Sequence, residues 1–122
     1  MALQFLLPQT VAREDGQGAE VACEPRLVRL ILGITRMITQ ESLEVSVWGS
    51  SDGKKWHPVA SFPKKFYCGT YSMLMDLAHH PDVRQVRAQW KMGRWLPGDN
   101  SPLFEFYVQM ESGRMRREAG AA

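Results

Sequence analysis

Several segments between residues 27 and 110 carry an apolar side chain at every second position. This is the period of a β-strand that buries one face. Residues 43–48, 83–92 and 104–110 show the alternation most clearly. In residues 27–34, one face carries Val28, Leu30, Leu32 and Ile34. Apolar faces of this kind are buried when sheets pack against each other, so the alternation predicts a layered all-β fold.

Weaker patterns predict further strands. In residues 3–7, the apolar face would consist of Leu3, Phe5 and Leu7. Residues 19–24 can form another short strand, and residues 70–77 favour a strand over an amphipathic turn. Residues 59–67 are extended but contain Pro63, which predicts an edge or an irregular crossing. Glycine, proline and polar residues predict loops at 13–18, 79–82 and 97–102.

The expected fold is a single antiparallel β-sandwich domain of about seven or eight short strands. The same pattern is typical of a small barrel, and no long helix is predicted. The length of 122 residues fits one domain. We place the domain at residues 1–111 and expect residues 112–122, which lack apolar periodicity, to form a flexible basic tail.

The segment 49–53 predicts the turn of a hairpin. Gly53 follows Asp52, and glycine adopts positive φ at low steric cost. The return strand would then begin at Lys54. This turn geometry explains Asp52 without assigning it a functional role.

The same hairpin carries a family resemblance. Its strand and turn place hydrophobic residues two apart, followed by Ser, Asp-Gly and Trp, at Val45, Val47, Ser51, Asp52, Gly53 and Trp56. This pattern resembles discoidin-like domains, the coagulation-factor type C group of galactose-binding-like jelly-roll sandwiches. Residues 83–87 and 104–110 look like the late strands of that family. The resemblance implies a jelly-roll topology, and such sandwiches bind sugars, lipid headgroups or proteins, or serve as structural appendages.

Charge and cysteine content narrow the partner classes only slightly. Fifteen basic and thirteen acidic residues leave a net charge of +2, so any basic surface must be local. Cys23 and Cys68 lie outside any C-x-x-C spacing. They could form one disulfide, but reduced, partly buried thiols are expected. The N-terminal apolar run is broken by Gln4 and stopped by Pro8, which fits neither a secretory signal nor a membrane span. The expected location is the cytoplasm.

Tryptophan and its polar neighbours supply the candidate binding residues. Trp95 lies in a loop near Arg94, Lys91, Asp99 and Asn100. An indole beside an arginine and polar groups suits a sugar ring or a protein contact. Trp48 lies opposite the apolar face of its strand and is a second candidate for exposure, whereas Trp56 and Trp90 are expected in the core or at its rim. The alternative for Trp95 is that it seals one end of the sandwich.

Groups for catalysis or metal binding are not recognisable. His79 and His80, with Asp76 and Asp82, match no zinc spacing and are expected to form a surface turn. No nucleophile elbow or phosphate loop is present in the sequence. We therefore expect no cofactor, no metal and no enzymatic activity.

The predicted function is a non-catalytic binding or assembly module, such as an accessory or structural subunit of a larger complex. Its partner would be a protein or a second copy of the chain. The first alternative is carbohydrate recognition by Trp95, Arg94 and Asp99 at one loop end. A weaker alternative is single-stranded nucleic acid binding by a basic stripe of Lys54, Lys55, Lys64, Lys65, Arg84, Arg87, Lys91 and Arg94.

Overall fold

The computed structural model describes residues 2–24, 26–37, 41–94 and 103–112. These ranges contain nine strands and one turn of 3-10 helix, Leu77–His79. The strands are β1 Ala2–Ala12, β2 Gly16–Gln17, β3 Val21–Ala22, β4 Leu27–Met37, β5 Glu41–Ser50, β6 His57–Ser61, β7 Gly69–Asp76, β8 Gln85–Arg94 and β9 Phe104–Ser112.

The strands form two antiparallel sheets that pack as a β-sandwich. The first sheet has the order β1-β9-β4-β7. The second has the order β2-β8-β5-β6, and β3 also pairs with β8. The predicted all-β antiparallel sandwich is confirmed. The number of strands is higher than expected because β2 lies within residues 13–18, which were predicted to be a loop.

The core consists of the alternating side chains that the sequence pattern identified. Four strands supply most of it, namely β4 and β9 from the first sheet and β5 and β8 from the second. Phe104 and Phe106 are among the largest fully buried side chains. The buried members on the four strands are Val28, Leu30, Leu32, Ile34, Leu43, Val45, Val47, Val86, Ala88, Phe104, Phe106, Val108 and Met110.

Strand β1 does not bury the face that the sequence pattern predicted. Leu3 and Phe5 are 56% and 50% exposed, whereas Leu6 and Leu7 are both buried. The cause is an irregularity in the pairing with β9, where the register shifts between Phe5 and Leu7. A bulge of this kind inserts one residue and reverses the face taken by the residues on either side. The strand predicted at residues 3–7 is confirmed as part of β1, but Leu7 does not share a face with Leu3 and Phe5.

The β5–β6 connection is a turn capped by two side chains. Ser50 Oγ accepts hydrogen bonds from the backbone N–H groups of Asp52 and Gly53, at 3.3 and 2.8 Å. Asp52 Oδ1 accepts from the N–H groups of Lys54 and Lys55, at 2.8 and 3.1 Å. Gly53 has a φ of 77°, which confirms the turn predicted at this glycine.

The return strand begins later than predicted, at His57 rather than Lys54. The N–H groups of residues 52–55 are bonded to Ser50 and Asp52, so they do not join the strand ladder. After β6, the chain pairs again with β5 at Lys65, whose N–H and C=O groups both bond to Leu43. This confirms an edge segment with an irregular crossing at residues 59–67.

The strand predicted at residues 70–77 is confirmed as β7. The loop predicted at 97–102 and residues 113–122 of the predicted tail lie outside the described residues. Ser112, placed at the start of that tail, is the last residue of β9. None of the helical structure in the described ranges has the length and apolarity that crossing a membrane requires.

Two leucines in the first sheet test the assignment of inner and outer faces. Leu30 is fully buried, and Leu74 is 60% exposed. We expect Leu30→Ala to lower the free energy of unfolding by about 2–5 kcal/mol, because it leaves a cavity. Leu74→Ala should change it by less than about 0.5 kcal/mol. Urea unfolding at low protein concentration measures both values, and equal losses would contradict the assigned faces.

The capped turn predicts a pH dependence. The backbone N–H groups of Lys54 and Lys55 hold the pKa of Asp52 below its usual 3.8. The stabilisation of the turn by this carboxylate is fully present above pH 3.8 and is lost as the pH falls through the lower folded-state pKa.

In an NMR titration, the amide shifts of Lys54 and Lys55 should follow this low pKa. Asp52→Asn, which retains a side-chain acceptor but no titrating group, should abolish the titration. An unchanged titration in the variant would show that another group is responsible.

Candidate functional site

Trp48 and Lys91, two of the candidate residues, lie on the outer face of the second sheet. The outward positions of β5 are Glu44, Ser46 and Trp48. They stand opposite Lys91, Gln89 and Arg87 of β8, respectively. The alternation of β5 that buries Val45 and Val47 turns these side chains away from the core.

The middle of this face is a row of neutral polar side chains across four strands. Ser46 of β5 pairs with Gln89 of β8 and with Ser61 of β6. Gln89 pairs in turn with Gln17 of β2. Antiparallel pairing places such side chains about 5 Å from their neighbours. Two amides and two hydroxyls therefore stand in line on one surface.

The indole of Trp48 is fixed along its own strand. Its Nε1 donates a hydrogen bond to Ser46 Oγ at 3.0 Å, and the side chain is half-buried. Next to it, the guanidinium of Arg87 lies 4.1 Å from the centre of the Trp56 ring. The two tryptophans and the arginine thus form the aromatic end of the face.

Part of this face, from Trp48 to Lys91, lines an open groove with a volume of about 660 Å³. At the end away from Trp48, Glu44 stands opposite Lys91. The Asp15 carboxylate also lies there, and its Oδ1 accepts a hydrogen bond from the N–H of Met92 at 2.7 Å. We call this surface the polar groove. It is lined by Asp15, Gly16, Gln17, Glu44, Ser46, Trp48, Ser61, Gln89, Trp90 and Lys91.

The structure brings together only part of the predicted site. Trp95 and Asp99 lie outside the described residues, and Arg94 is the final residue of β8, where it pairs with Glu41. Trp48 and Lys91 share a face but are far apart on it. Lys91 stands opposite Glu44, which lies four residues, or about 13 Å, from Trp48 along β5. The polar row between them was not predicted.

The proximity of Gln17, Ser46 and Gln89 could not be predicted from the sequence because it depends on strand register. Gln17 is 72 residues from Gln89 along the chain, and β2 was predicted as a loop. One feature of the sequence did point to a polar face on this strand. In residues 83–92, the polar side of the alternation places Gln85, Arg87, Gln89 and Lys91 on one common face.

A second surface covers the outer face of the first sheet. Leu3, Phe5 and Leu74 are 56%, 50% and 60% exposed, and Ile31 and Tyr107 are half-buried beside them. The register places all five on the side opposite the core. We call this surface the apolar face.

The centre of the apolar face is an aromatic pair. The rings of Phe5 and Tyr107 meet edge to face, with their centroids 6.0 Å apart. A Cβ at Gly33 would collide with the Tyr107 ring, so the glycine lets this ring lie flat on β4. Arg29 and Glu111 form an ion pair at 3.7 Å on the same face.

The described basic residues of the predicted stripe have different partners. Arg84 Nη1 donates to the backbone carbonyls of Pro81 and Val83, at 2.6 and 3.1 Å. The ammonium of Lys65 lies 4.1 Å from the centre of the Tyr71 ring. Lys91 and Arg87 share the polar groove's face with carboxylates rather than with other lysines.

Three potentially reactive side chains in the described residues are those of His79, Cys23 and Cys68. His79 Nε2 lies 3.2 Å from Asp76 Oδ2, and Asp76 Oδ1 accepts from the N–H of Ala78 in the 3-10 turn. Both cysteines are free, Cys23 half-buried and Cys68 exposed, so partial burial is confirmed for Cys23 alone. Burial raises the pKa of the Cys23 thiol, which disfavours the nucleophilic thiolate. Within the described ranges, no three His, Cys, Asp or Glu side chains converge as metal ligands would.

Comparison with models of protein families, with curated proteins and with solved structures finds no match for this chain. The discoidin-like resemblance therefore stays a prediction, as does the cytoplasmic location.

Proposed function

We propose that this chain is a non-catalytic assembly module that associates with a second copy of itself through the apolar face. The observation that carries this proposal is the exposure of Leu3, Phe5 and Leu74 on one side of a four-stranded sheet. Such a module would serve as an accessory or structural subunit of a larger complex.

The apolar face extends over every strand of its sheet. Leu3 and Phe5 are on β1, Tyr107 on β9, Ile31 on β4 and Leu74 on β7. Three interstrand spacings of about 4.8 Å make it about 14 Å wide. Large apolar side chains grouped on one outer surface are typical of contact sites between proteins.

The charges on this face favour a second copy as the partner. Arg29 pairs with Glu111, and Arg36 pairs with Glu105 at 3.3 Å. Each cation is thus balanced by a carboxylate, so two copies of the face do not repel each other. In a twofold contact, the arginines of one copy can also meet the glutamates of the other.

The rigidity of the sheet further supports association. The apolar side chains are held on paired strands, and the Phe5 and Tyr107 rings already support each other. Little backbone freedom would be lost on binding, so more of the apolar burial contributes to affinity.

The positions of the reactive groups support binding rather than catalysis. His79 is engaged with Asp76, and the pKa of Cys23 is raised by burial. The discoidin-like resemblance of the β5–β6 hairpin is a second reason to expect a binding module.

Phe5→Ser tests the assembly. Because a twofold contact loses the phenyl ring from both copies, the dissociation constant of the dimer should rise at least tenfold, from about 1.4 kcal/mol of lost apolar burial. Sedimentation velocity over a concentration series should show the wild-type mass rising from 13.9 kDa towards twice that value. The variant should stay monomeric over the same range.

Phe66→Ser is the matched control. Phe66 is 40% exposed in the β6–β7 connection and follows Lys65, which pairs with Leu43 of the second sheet, so its replacement should leave the association unchanged. A wild-type chain that remains monomeric at the highest concentration would overturn the proposal. Equal weakening by both variants would also overturn it.

A further inference from the structure

We propose that the polar groove binds a neutral oligosaccharide, with one sugar ring against the Trp48 indole and the adjoining hydroxyls against Gln17 and Gln89. The groove lies on the second sheet and the apolar face lies on the first, so this inference does not rest on the proposed assembly.

Trp48 supplies the apolar contact that a sugar ring needs. It lines the groove, and its Nε1 is already bonded to Ser46 Oγ, so a ligand would contact the ring carbons rather than the N–H group. The C–H groups on one side of a pyranose form a flat, weakly polar surface that packs on such a ring. The half-buried position of Trp48 on β5 keeps the ring in place without a ligand.

The polar row supplies the hydrogen bonds. Gln17 and Gln89 are register neighbours, and each amide carries both a donor and an acceptor. Adjacent sugar hydroxyls also donate and accept at a short spacing. Ser46 and Ser61 extend the same row and offer hydroxyl groups that can act in either direction.

The charges of the groove favour a neutral ligand over a polyanion. In and beside the groove, the two carboxylates of Asp15 and Glu44 balance the two cations of Lys91 and Arg87 among the described residues. Nucleic acid binding depends on cationic side chains that neutralise phosphates. The carboxylates here would repel phosphates, but they are good acceptors for sugar hydroxyls. Asp15 is already oriented by the N–H of Met92.

The dimensions of the groove suit a short oligosaccharide. Its volume of about 660 Å³ lies within the range of about 300–1,000 Å³ that is typical of small-ligand sites. It is open along its length, and the row from Gln17 to Ser61 crosses four strands. Several sugar units could therefore contact one continuous surface.

The test is an NMR titration of the full chain labelled with ¹⁵N. The probes are cello-, xylo-, manno-, malto- and chito-oligosaccharides, and oligo(dT) represents polyanions. At least one neutral oligosaccharide should shift the Trp48 indole signal together with the Gln17 and Gln89 side-chain amides. Trp48→Ala should weaken its binding at least about tenfold, and Gln89→Ala about three- to tenfold.

Gln109→Ala is the matched control for Gln89→Ala. Both glutamines are half-buried on outer strand positions, but Gln109 lies on β9 of the first sheet. The control should retain the wild-type affinity. The inference is overturned if no neutral probe shifts these signals, if oligo(dT) binds more tightly than every neutral probe, or if Trp48→Ala and wild type bind alike.

Discussion

The packing of the two sheets against each other determines which surfaces of this chain are buried and which remain available for binding. Trp90 of the second sheet meets Phe106 of the first with ring centroids 5.5 Å apart, and the Trp90 Nε1 donates to the Glu14 carbonyl at 2.9 Å. A Cβ at Gly16 would collide with the same indole, so β2 can lie this close to it only with glycine at that position. Because the inner faces are buried against each other, the broad surfaces left for recognition are the outer faces and the loops.

The two outer faces differ because the outward-facing positions of the alternating strands carry different residue types in the two sheets. In the first sheet these positions include Ile31, Leu74 and Tyr107, and the bulge in β1 adds Leu3 and Phe5. In the second sheet they are serine, glutamine and charged residues around one tryptophan. The apolar face and the polar groove therefore lie on different sheets of one sandwich. Association through the first would leave the second open to solvent.

The sequence alone was sufficient for the fold class and for the main core strands, since period-2 alternation is a local signal. It was not sufficient for β1, whose bulge exchanges the faces, or for β2, which has only two residues. The candidate site was still harder to predict from the sequence. Gln17, Gln89 and Ser46 come together only through strand register, and the exposure of Phe5 depends on a shift in pairing. Asp52 and Gly53 were predictable as a turn. The start of β6 at His57 was not, because it depends on the backbone N–H groups of Lys54 and Lys55 donating to Asp52.

The most direct test of separate roles for the two faces is a concentration series of NMR spectra that follows methyl and indole signals together. We expect the Leu3, Ile31 and Leu74 methyl signals to move as the protein concentration rises, while the Trp48 indole signal stays in place. If the Trp48 signal moves and the methyl signals do not, or if all of them remain fixed, the assignment of assembly to the apolar face is wrong.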